Sequence, residues 1–568
     1  MHRKHWLTLL LIHLLLGLFC LREIVLHPLT TVIGDQSSDL YPHIWGYWRW
    51  IRKFEDGGWS EVWRNSEPYL NVPYTGDLYH VDWLNGLLVW IGTSIGLPFL
   101  LSINAMVLGQ WMLLGVGTIA LCKQLRFQFW STLFVMMTVS TGPFVMRFVL
   151  HSAVFERLNL GWLLFYLTCL LRLLETPRWY WIIGGVLSFG FTILGSWHYA
   201  MFAIVSSVWI AGWSLFQQRE HWKPLSSLAV GCAAIAYPIS QRAQSSLGTE
   251  SIIQHQAKAF WDWQTPLETL NDFTWVDLIY PTIQQSFGFD VLEESIFIGW
   301  LIPLGFLLGW RYATDRRDKM WLGLCGYFIV LTLGPNITVA EGLVLPSPMY
   351  YFTASIIPYF STMEVPWEYS WMVLLTGGIV VGLWMEKIQP TNKRFLWLLP
   401  VIALLQNLVV MPTTIGYTQP SSIPPAVIKT LHSGQQILDF PISNHASDTG
   451  QPSPHHTYLW LQTLHNRPIA YGIQQSWLQD TELWRYLNAI LPNHSSWRVL
   501  RKQCKLNPCQ NTNALRQTIA QQGFSHFVLH AQFLPANTFE QQIKLWSDVF
   551  QQPLYVDQQI AIFAIVKQ

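Results

Sequence analysis

Long apolar runs alternate with short polar connections through residues 1–412, after which the pattern changes to short alternating segments. A membrane-crossing helix takes roughly 20 mostly apolar residues. The pattern predicts spans near 6–26, 98–122, 128–147, 158–174, 180–198, 199–216, 224–240, 295–310, 319–335, 367–386 and 395–412, about eleven by this criterion. Stretches 82–97 and 343–360 are candidates for a re-entrant or extra span. No small-residue cleavage site follows the first run, which therefore reads as a retained span. After Pro412, "QQILDFPI", "FSHFVLH" and "YVDQQIAIFAIV" read as strands, and "TELWRYLNAIL" and "NALRQTIAQQG" as helices. Gly523 stops the second helix. The expected architecture is a polytopic α-helical domain over 1–412 and a small α/β domain over 413–568.

Composition strengthens this reading. Of 568 residues, 51% are hydrophobic and 12% charged, about half the charged share of an ordinary soluble domain. The 32 tryptophans suit membrane–water interfaces, where the ring is apolar and the N–H seeks water. A net charge of +1 offers no basic face for nucleic acid.

Charge placement orients the spans. "MHRKH", "CKQLRF", "RLLETPR", "QQREHWK", "RYATDRRDK" and "EKIQPTNKR" are short and basic, whereas 336–366 holds no Lys or Arg. The positive-inside pattern puts the N-terminus in the cytoplasm of a plasma (inner) membrane. An odd number of spans then leaves the C-terminal domain extracytoplasmic, with outer loops 27–81, 241–294 and 336–366. Cys20, Cys122, Cys169, Cys232 and Cys325 lie in apolar runs as core residues. Cys504 and Cys509 lie in the polar tail, where an extracytoplasmic location favours a disulfide.

Candidate chemistry crowds the outer ends. In "VIGDQSSDLYPHIWGYWRW", a helix from about Ser37 puts Asp39, His43 and Gly46 on one face and Trp45, Trp48 and Arg52 on another. Such a helix suits the outer interface, where Asp39 or Asp35 is either a general base, a metal ligand or a plain solvated acid. "GDLYHVDW" adds Asp77, His80 and Asp82; with Asp39 or Asp35 they suggest a divalent cation, Mg or Mn, although the spacing matches no standard motif. "HSAVFERLN" supplies His151, Glu156 and Arg157, and "GSWHYAMF" puts His198 and Tyr199 at a tight hairpin. An ionisable group at a span end is a functional candidate. For His198 the alternative is packing beside Trp197. For Glu293 and Glu294, and for Glu364 and Glu368, it is complementing a helix dipole. "AKAFWDWQTPLETLNDFTWVDLIYP" reads as an interfacial helix pair split at Pro266. No nucleotide loop, zincin motif or nucleophile elbow is present.

The ordered series "HPLTTVIGDQSSDLYPHIWGYWRW", "NVPYTGDLYHVDWLNGLLVWIGTSIGLPFLLSINA", "HSAVFERLNLGWLLFYLTCLLRLLE", "LGSWHYAMFAIV", "WVDLIYP", "LTLGPNI", "LPSPMYYF", "VPWEYSWMVLL" and "GFSHFVLH" resembles the GT-C glycosyltransferase-like superfamily of bacterial polytopic proteins, particularly the YfhO-like members. It covers nearly the whole chain. The resemblance implies an inverting enzyme that passes a sugar from a polyprenyl-phosphate donor to a glycan or glycolipid acceptor among the membrane lipid. It gives Asp39 the role of catalytic or metal-linked acid, with Asp35 as alternate. Arg147, Arg157 and Arg242 then lie near enough to the outer face to bind the lipid phosphate. Glu364 and Glu368 stand where many relatives carry arginine. A flippase of lipid-linked precursors and a non-catalytic scaffold are the competing readings.

Overall fold

The computed structural model describes residues 3–36, 38–62, 82–247, 278, 297–340, 343–357, 360, 366–388, 395–410, 415–420, 422–432, 435–441, 454–469, 512–521, 523–534 and 537–565. They form two compact units: Met1–Asp35 with Asp82–Thr418, and Gln36–Val81 with Gln419–Gln568.

The first unit is a helical bundle. It opens with α1 (Arg3–Cys20), α2 (Arg22–Leu26) and the short strand β1 (Val32–Ile33); the next helix, α3 (Leu40–Val62), belongs to the second unit. The bundle continues with α4 (Trp83–Ser94), α5 (Phe99–Gln124), α6 (Phe129–Thr141), α7 (Leu160–Glu175), α8 (Trp179–Gly195), α9 (Trp197–Gln217) and α10 (Trp222–Leu247). Then come α11 (Leu301–Tyr312), α12 (Arg316–Thr332), the hairpin β2 (Asn336–Ala340) and β3 (Leu343–Pro346), α13 (Pro348–Ile356), α14 (Ser370–Ile388), α15 (Leu398–Val410) and β4 (Tyr417–Thr418), which pairs with β1. Among the described residues, Phe99–Gln124, Phe129–His151, Phe155–Glu175, Trp197–Gln217 and Pro366–Ile388 are long and apolar enough to cross a membrane. Four shorter apolar helices, Lys4–Cys20, Trp179–Gly195, Leu301–Arg311 and Leu398–Asn407, accompany them. Stretch 82–97 holds α4, and 343–360 holds β3 and α13.

Small residues and paired polar groups bring the helices together. Gly161 lets α7 approach the α5 backbone so closely that a Cβ there would sit 2.6 Å from the Leu113 carbonyl carbon. His13 of α1 stacks on Trp111 of α5 at 5.2 Å, with its Nε2 2.9 Å from the Trp111 carbonyl. Asn407 of α15 donates to Thr141 Oγ1 of α6 at 3.0 Å, so His13 and Asn407 each meet a partner on another helix.

The bundle has two distinct ends. At one, Arg317 donates to the Leu125 carbonyl at 3.4 Å and the Gln128 N–H donates to Glu386 at 2.6 Å. Lys387 there pairs with Asp318, Arg126 lies 3.9 Å from Glu175, and Lys123 sits over Trp6 at 5.1 Å. Five connections that the sequence marks as basic therefore share one end.

The second unit is a small α/β assembly. A four-stranded sheet has the order β5 (Ile437–Phe440), β6 (His526–His530), β8 (Ile560–Ala564), β7 (Tyr555–Val556), with β5 and β6 parallel and the other pairs antiparallel. The long strand expected over "YVDQQIAIFAIV" is instead a hairpin. Asp557 Oδ1 accepts the N–H groups of Gln559 and Ile560 at 2.7 and 2.8 Å, which turns the chain there. Its helices are α3, α16 (Pro425–His432), α17 (Pro454–His465), α18 (Thr512–Gln521) and α19 (Phe539–Phe550). Gly523, with φ +91°, follows the end of α18 as expected. Trp546 of α19 packs on Phe527 of the sheet at 4.2 Å and stacks on Phe550 at 5.6 Å.

α3 is the principal departure from the expected domain boundary. It packs on α17, with Trp45 Nε1 donating to Gln462 at 2.6 Å and Trp48 Nε1 to Asn466 at 3.0 Å. Tyr41 stacks on Trp460 at 6.0 Å. The indoles that suggested an interfacial helix thus bond to the tail, because a buried N–H needs an acceptor that protein can supply as well as water. "TELWRYLNAIL", Cys504, Cys509 and the segment around Pro266 lie outside the described residues.

Two outcomes test this packing. Gly161→Ala is expected to lower bundle stability by about 1–3 kcal/mol through overpacking, whereas Gly212→Ala, facing open space on α9, is expected to be neutral or stabilising; thermal unfolding in detergent compares them. Burial and the charges of His432, His530 and Arg467 push His465 down to about 3. Below its ordinary value of 6.5 the unfolded chain therefore binds more protons, so stability is full above 6.5 and falls as pH drops towards 3. Hydrogen exchange of β6, corrected for intrinsic rate, should show that fall, and His465→Gln should flatten it.

Candidate functional site

One connection organises the polar residues of the bundle. After α6 the chain enters a π-helical segment, Phe144–His151, and then a 3₁₀ turn, Phe155–Leu158. Between them Ala153 sits fully buried at φ +58°, in a region that disfavours a side chain. π segments and left-handed residues cost energy and recur at functional sites.

Arg157 is the centre of the first cluster. Its Nη2 donates to Glu368 Oε1 at 2.8 Å and its Nη1 to Ser196 Oγ at 2.8 Å. Glu156 lies 3.3 Å from Nη1, and His198 Nε2 3.4 Å from Nη2. Tyr199 donates its hydroxyl to the Arg157 carbonyl at 2.6 Å. The sequence-predicted residues Glu156, Arg157, His198 and Tyr199 are thus brought together from two connections. Glu368 joins them from a third, a 3₁₀ turn (Pro366–Tyr369) leading into α14. Both charges of the Arg157–Glu368 pair are buried, at 5% and 1% side-chain exposure, which excludes bulk water from their interaction. Sequence reasoning gave Glu368 only a helix-terminus role. The signal available was acids and arginines stranded at apolar span ends on the same predicted side.

The second cluster surrounds His151. The Gly416 N–H donates to His151 Nδ1 at 2.9 Å, which leaves Nε2 to carry the proton of the neutral ring. The Asp35 N–H donates to the His151 carbonyl at 2.7 Å, and the Asp35 carboxylate and the Arg147 guanidinium both act electrostatically on the ring. Asn104 of α5 fixes the chain leading to Asp35 by donating to Pro28 and Thr31 carbonyls at 2.9 and 2.8 Å. Arg147 is buried, and its Nε has no hydrogen-bond partner among the described residues.

Other expected site residues fall elsewhere. Asp82 caps α4: its Oδ1 accepts the Asn85 N–H at 3.1 Å and its Oδ2 the Asn85 side-chain amide. Asn85 in turn donates to the Phe155 carbonyl at 3.0 Å and accepts from Gln110 at 2.9 Å, so Asp82 supports the same connection. Asn85 and Gln110 were not legible, because lone amides in apolar runs carry no pattern. Asp39 is exposed and belongs to the second unit, just before α3 begins at Leu40; His43 is buried in that helix. Asp35 and Asp39 therefore belong to different units. Asp77, His80, Arg242, Glu293, Glu294 and Glu364 lie outside what is described of side chains. Among the described residues no three His, Cys, Asp or Glu side chains gather to hold a metal ion.

The fold defines a helical membrane protein with ionisable residues gathered at helix ends. No family model matches the chain, and no curated protein matches it.

Removing one partner of the buried pair strands the other charge, at a cost of about 3–5 kcal/mol. Arg157→Met and Glu368→Met are each expected to destabilise the bundle by that order, and the double variant by clearly less than the sum. Thermal midpoints of the three in the same detergent check this.

Proposed function

We propose that the chain is an integral-membrane, inverting glycosyltransferase that moves a sugar from a polyprenyl-phosphate donor to an envelope glycan or glycolipid acceptor. It crosses the plasma membrane about eleven times, with a cytoplasmic N-terminus and both Asp35 and the C-terminal domain on the outer side. The observation that carries this reading is the meeting of Asp35, from the segment after β1, with the connection that carries Arg147 and His151 in an apolar bundle. A carboxylate and an arginine at the end of membrane helices are the two groups that transfer from a lipid phosphate needs.

Asp35 takes the base role in this reading, because it shares the unit of Arg147 and His151. It accepts the proton of the acceptor hydroxyl while that oxygen attacks the anomeric carbon. The bond from the anomeric carbon to the phosphate oxygen breaks on the opposite face, and the lipid phosphate leaves with the electron pair. Arg147 meets that charge with a guanidinium already stripped of water, where the attraction is stronger than in bulk. Arg157, engaged by Glu368 and Glu156, is a positioning residue that fixes the connection carrying them. A second reading, a flippase of lipid-linked precursors, draws on the burial of Arg157 and Glu368 inside candidate spans.

A reconstituted transfer assay with labelled polyprenyl-phosphate sugars tests this. Asp35→Asn is expected to lower kcat about 10²–10⁴-fold, and Arg147→Gln about 10²–10³-fold. Loss in Asp39→Asn with retention in Asp35→Asn returns the base to Asp39. Absence of transfer from every donor, with movement of a labelled lipid-linked sugar between leaflets, decides for the flippase.

A further inference from the structure

The short helix α13 turns an apolar face away from the bundle. Met349, Phe352 and Ile356, spaced three and four residues apart, share one side of it and are 40%, 61% and 57% exposed. Leu345, in β3, adds to them at 48%. Pro348 is exposed as well, so every exposed residue described from 345 to 357 is apolar. The partly exposed Ser355 gives its hydroxyl to the Phe352 carbonyl of its own helix at 2.7 Å. Tyr350, Tyr351, Thr353 and Ala354 are buried.

Hydrogen bonds fix the course of this helix. The Ser347 N–H donates to the Pro335 carbonyl at 2.8 Å, just past the end of α12, and the Ser347 hydroxyl accepts the Tyr350 N–H at 3.4 Å. Further on, Thr353 Oγ1 and the Tyr327 hydroxyl of α12 share a hydrogen bond. Tyr327 lies about one and a half turns inside the end of α12, so α13 runs back alongside it. Beyond α13 the buried Phe360 packs on Tyr350 at 5.1 Å and on Tyr369, the neighbour of Glu368, at 5.7 Å.

We propose that α13 is a re-entrant helix whose Leu345, Met349, Phe352 and Ile356 face lies against lipid acyl chains, in the leaflet opposite the basic connections. Nine residues at 1.5 Å each reach about 14 Å, under half of an apolar layer of about 30 Å, so the helix enters one leaflet without crossing. Two observations choose the leaflet. α12 starts at the basic end, where Arg317 meets the Leu125 carbonyl, so its other end is the opposite one. Residues 336–366, which follow, hold no Lys or Arg. Water is a poor match for a contiguous face of apolar side chains. A second copy of the chain matches less well than lipid, because membrane helices meet through small residues, and here Thr353 and Ala354 are on the buried side. The chain leaving the helix is covered at Ile357 and Phe360, as non-helical backbone at membrane depth requires. The inference needs only that the apolar helices cross a membrane; it is independent of the transfer reaction proposed above.

Photocrosslinking of the full-length protein in vesicles of phosphatidylethanolamine and phosphatidylglycerol tests it. The photoreactive residue p-benzoylphenylalanine replaces Met349, Phe352 or Ile356 in turn, and Glu540, exposed on α19, as the solvent control. Intact-mass and fragment spectra are expected to show an adduct on a lipid acyl chain at each α13 position and none at Glu540. A crosslinked protein dimer in place of the lipid adduct would give the face to a second copy and overturn the proposal. Adducts confined to the headgroup or glycerol would lay the helix on the membrane surface, and no adduct at any of the three positions would leave the face in water; each result overturns the proposal.

Discussion

The Arg157–Glu368 ion pair is the constraint on which the bundle's polar architecture rests. Two opposite charges buried among apolar helices are tolerable only while they remain together, with their other hydrogen-bonding groups met. Ser196, His198 and Glu156 meet the Nη1 and Nη2 ends of the guanidinium and Tyr199 its main-chain carbonyl, so Arg157 ties the 3₁₀ turn before α7 to the start of α9 and to the entry of α14. No one of these segments is held in place by its own hydrophobic pattern alone. The strained residue Ala153 and the π segment persist because this network determines their surroundings.

That connection separates structural from chemical roles among neighbouring residues. Arg157 is engaged through Nη1 and Nη2 by Glu368, Glu156 and Ser196 and acts as a fastener, although its Nε, like that of Arg147, has no hydrogen-bond partner among the described residues. Arg147, ten residues earlier, is buried with its Nε unbonded among the described residues, and His151 is oriented through its Nδ1 by the Gly416 N–H. The distinction matters because both arginines look alike along the chain. A cation already engaged by carboxylates has little attraction left for an incoming phosphate, whereas a desolvated one without a carboxylate has most of it.

The two ends of the bundle carry different physics. At the basic end, connections meet through ion pairs and backbone acceptors, and the charges other than the buried Asp318 keep access to water. At the other, ionisable groups are buried and hydrogen-bonded to one another. A short exposed loop needs only solvent, but a buried charge at a helix end needs a partner from elsewhere in the chain.

Much of the helical scaffold was legible in the sequence, because a helix that buries apolar residues on nearly every side reads as an unbroken run. The strands at 437–440 and 526–530 and the stop at Gly523 were equally local, set by short apolar runs that are buried throughout and by a backbone angle that glycine adopts freely. Glu156, Arg157, His198 and Tyr199 could be nominated for the same reason, since ionisable or hydroxyl groups stand out at apolar span ends. Their grouping could not. Arg157 and Glu368 are 211 residues apart, and only the packing of α7, α9 and α14 decides that they meet. The division of Asp35 from Asp39 was likewise beyond local reading: Asn104 and His151 hold one, while α17 takes the helix that follows the other. Sequence determined which segments are helical and where charge is costly; tertiary structure decided which charges meet, because pairing energy depends on distance in space and not along the chain.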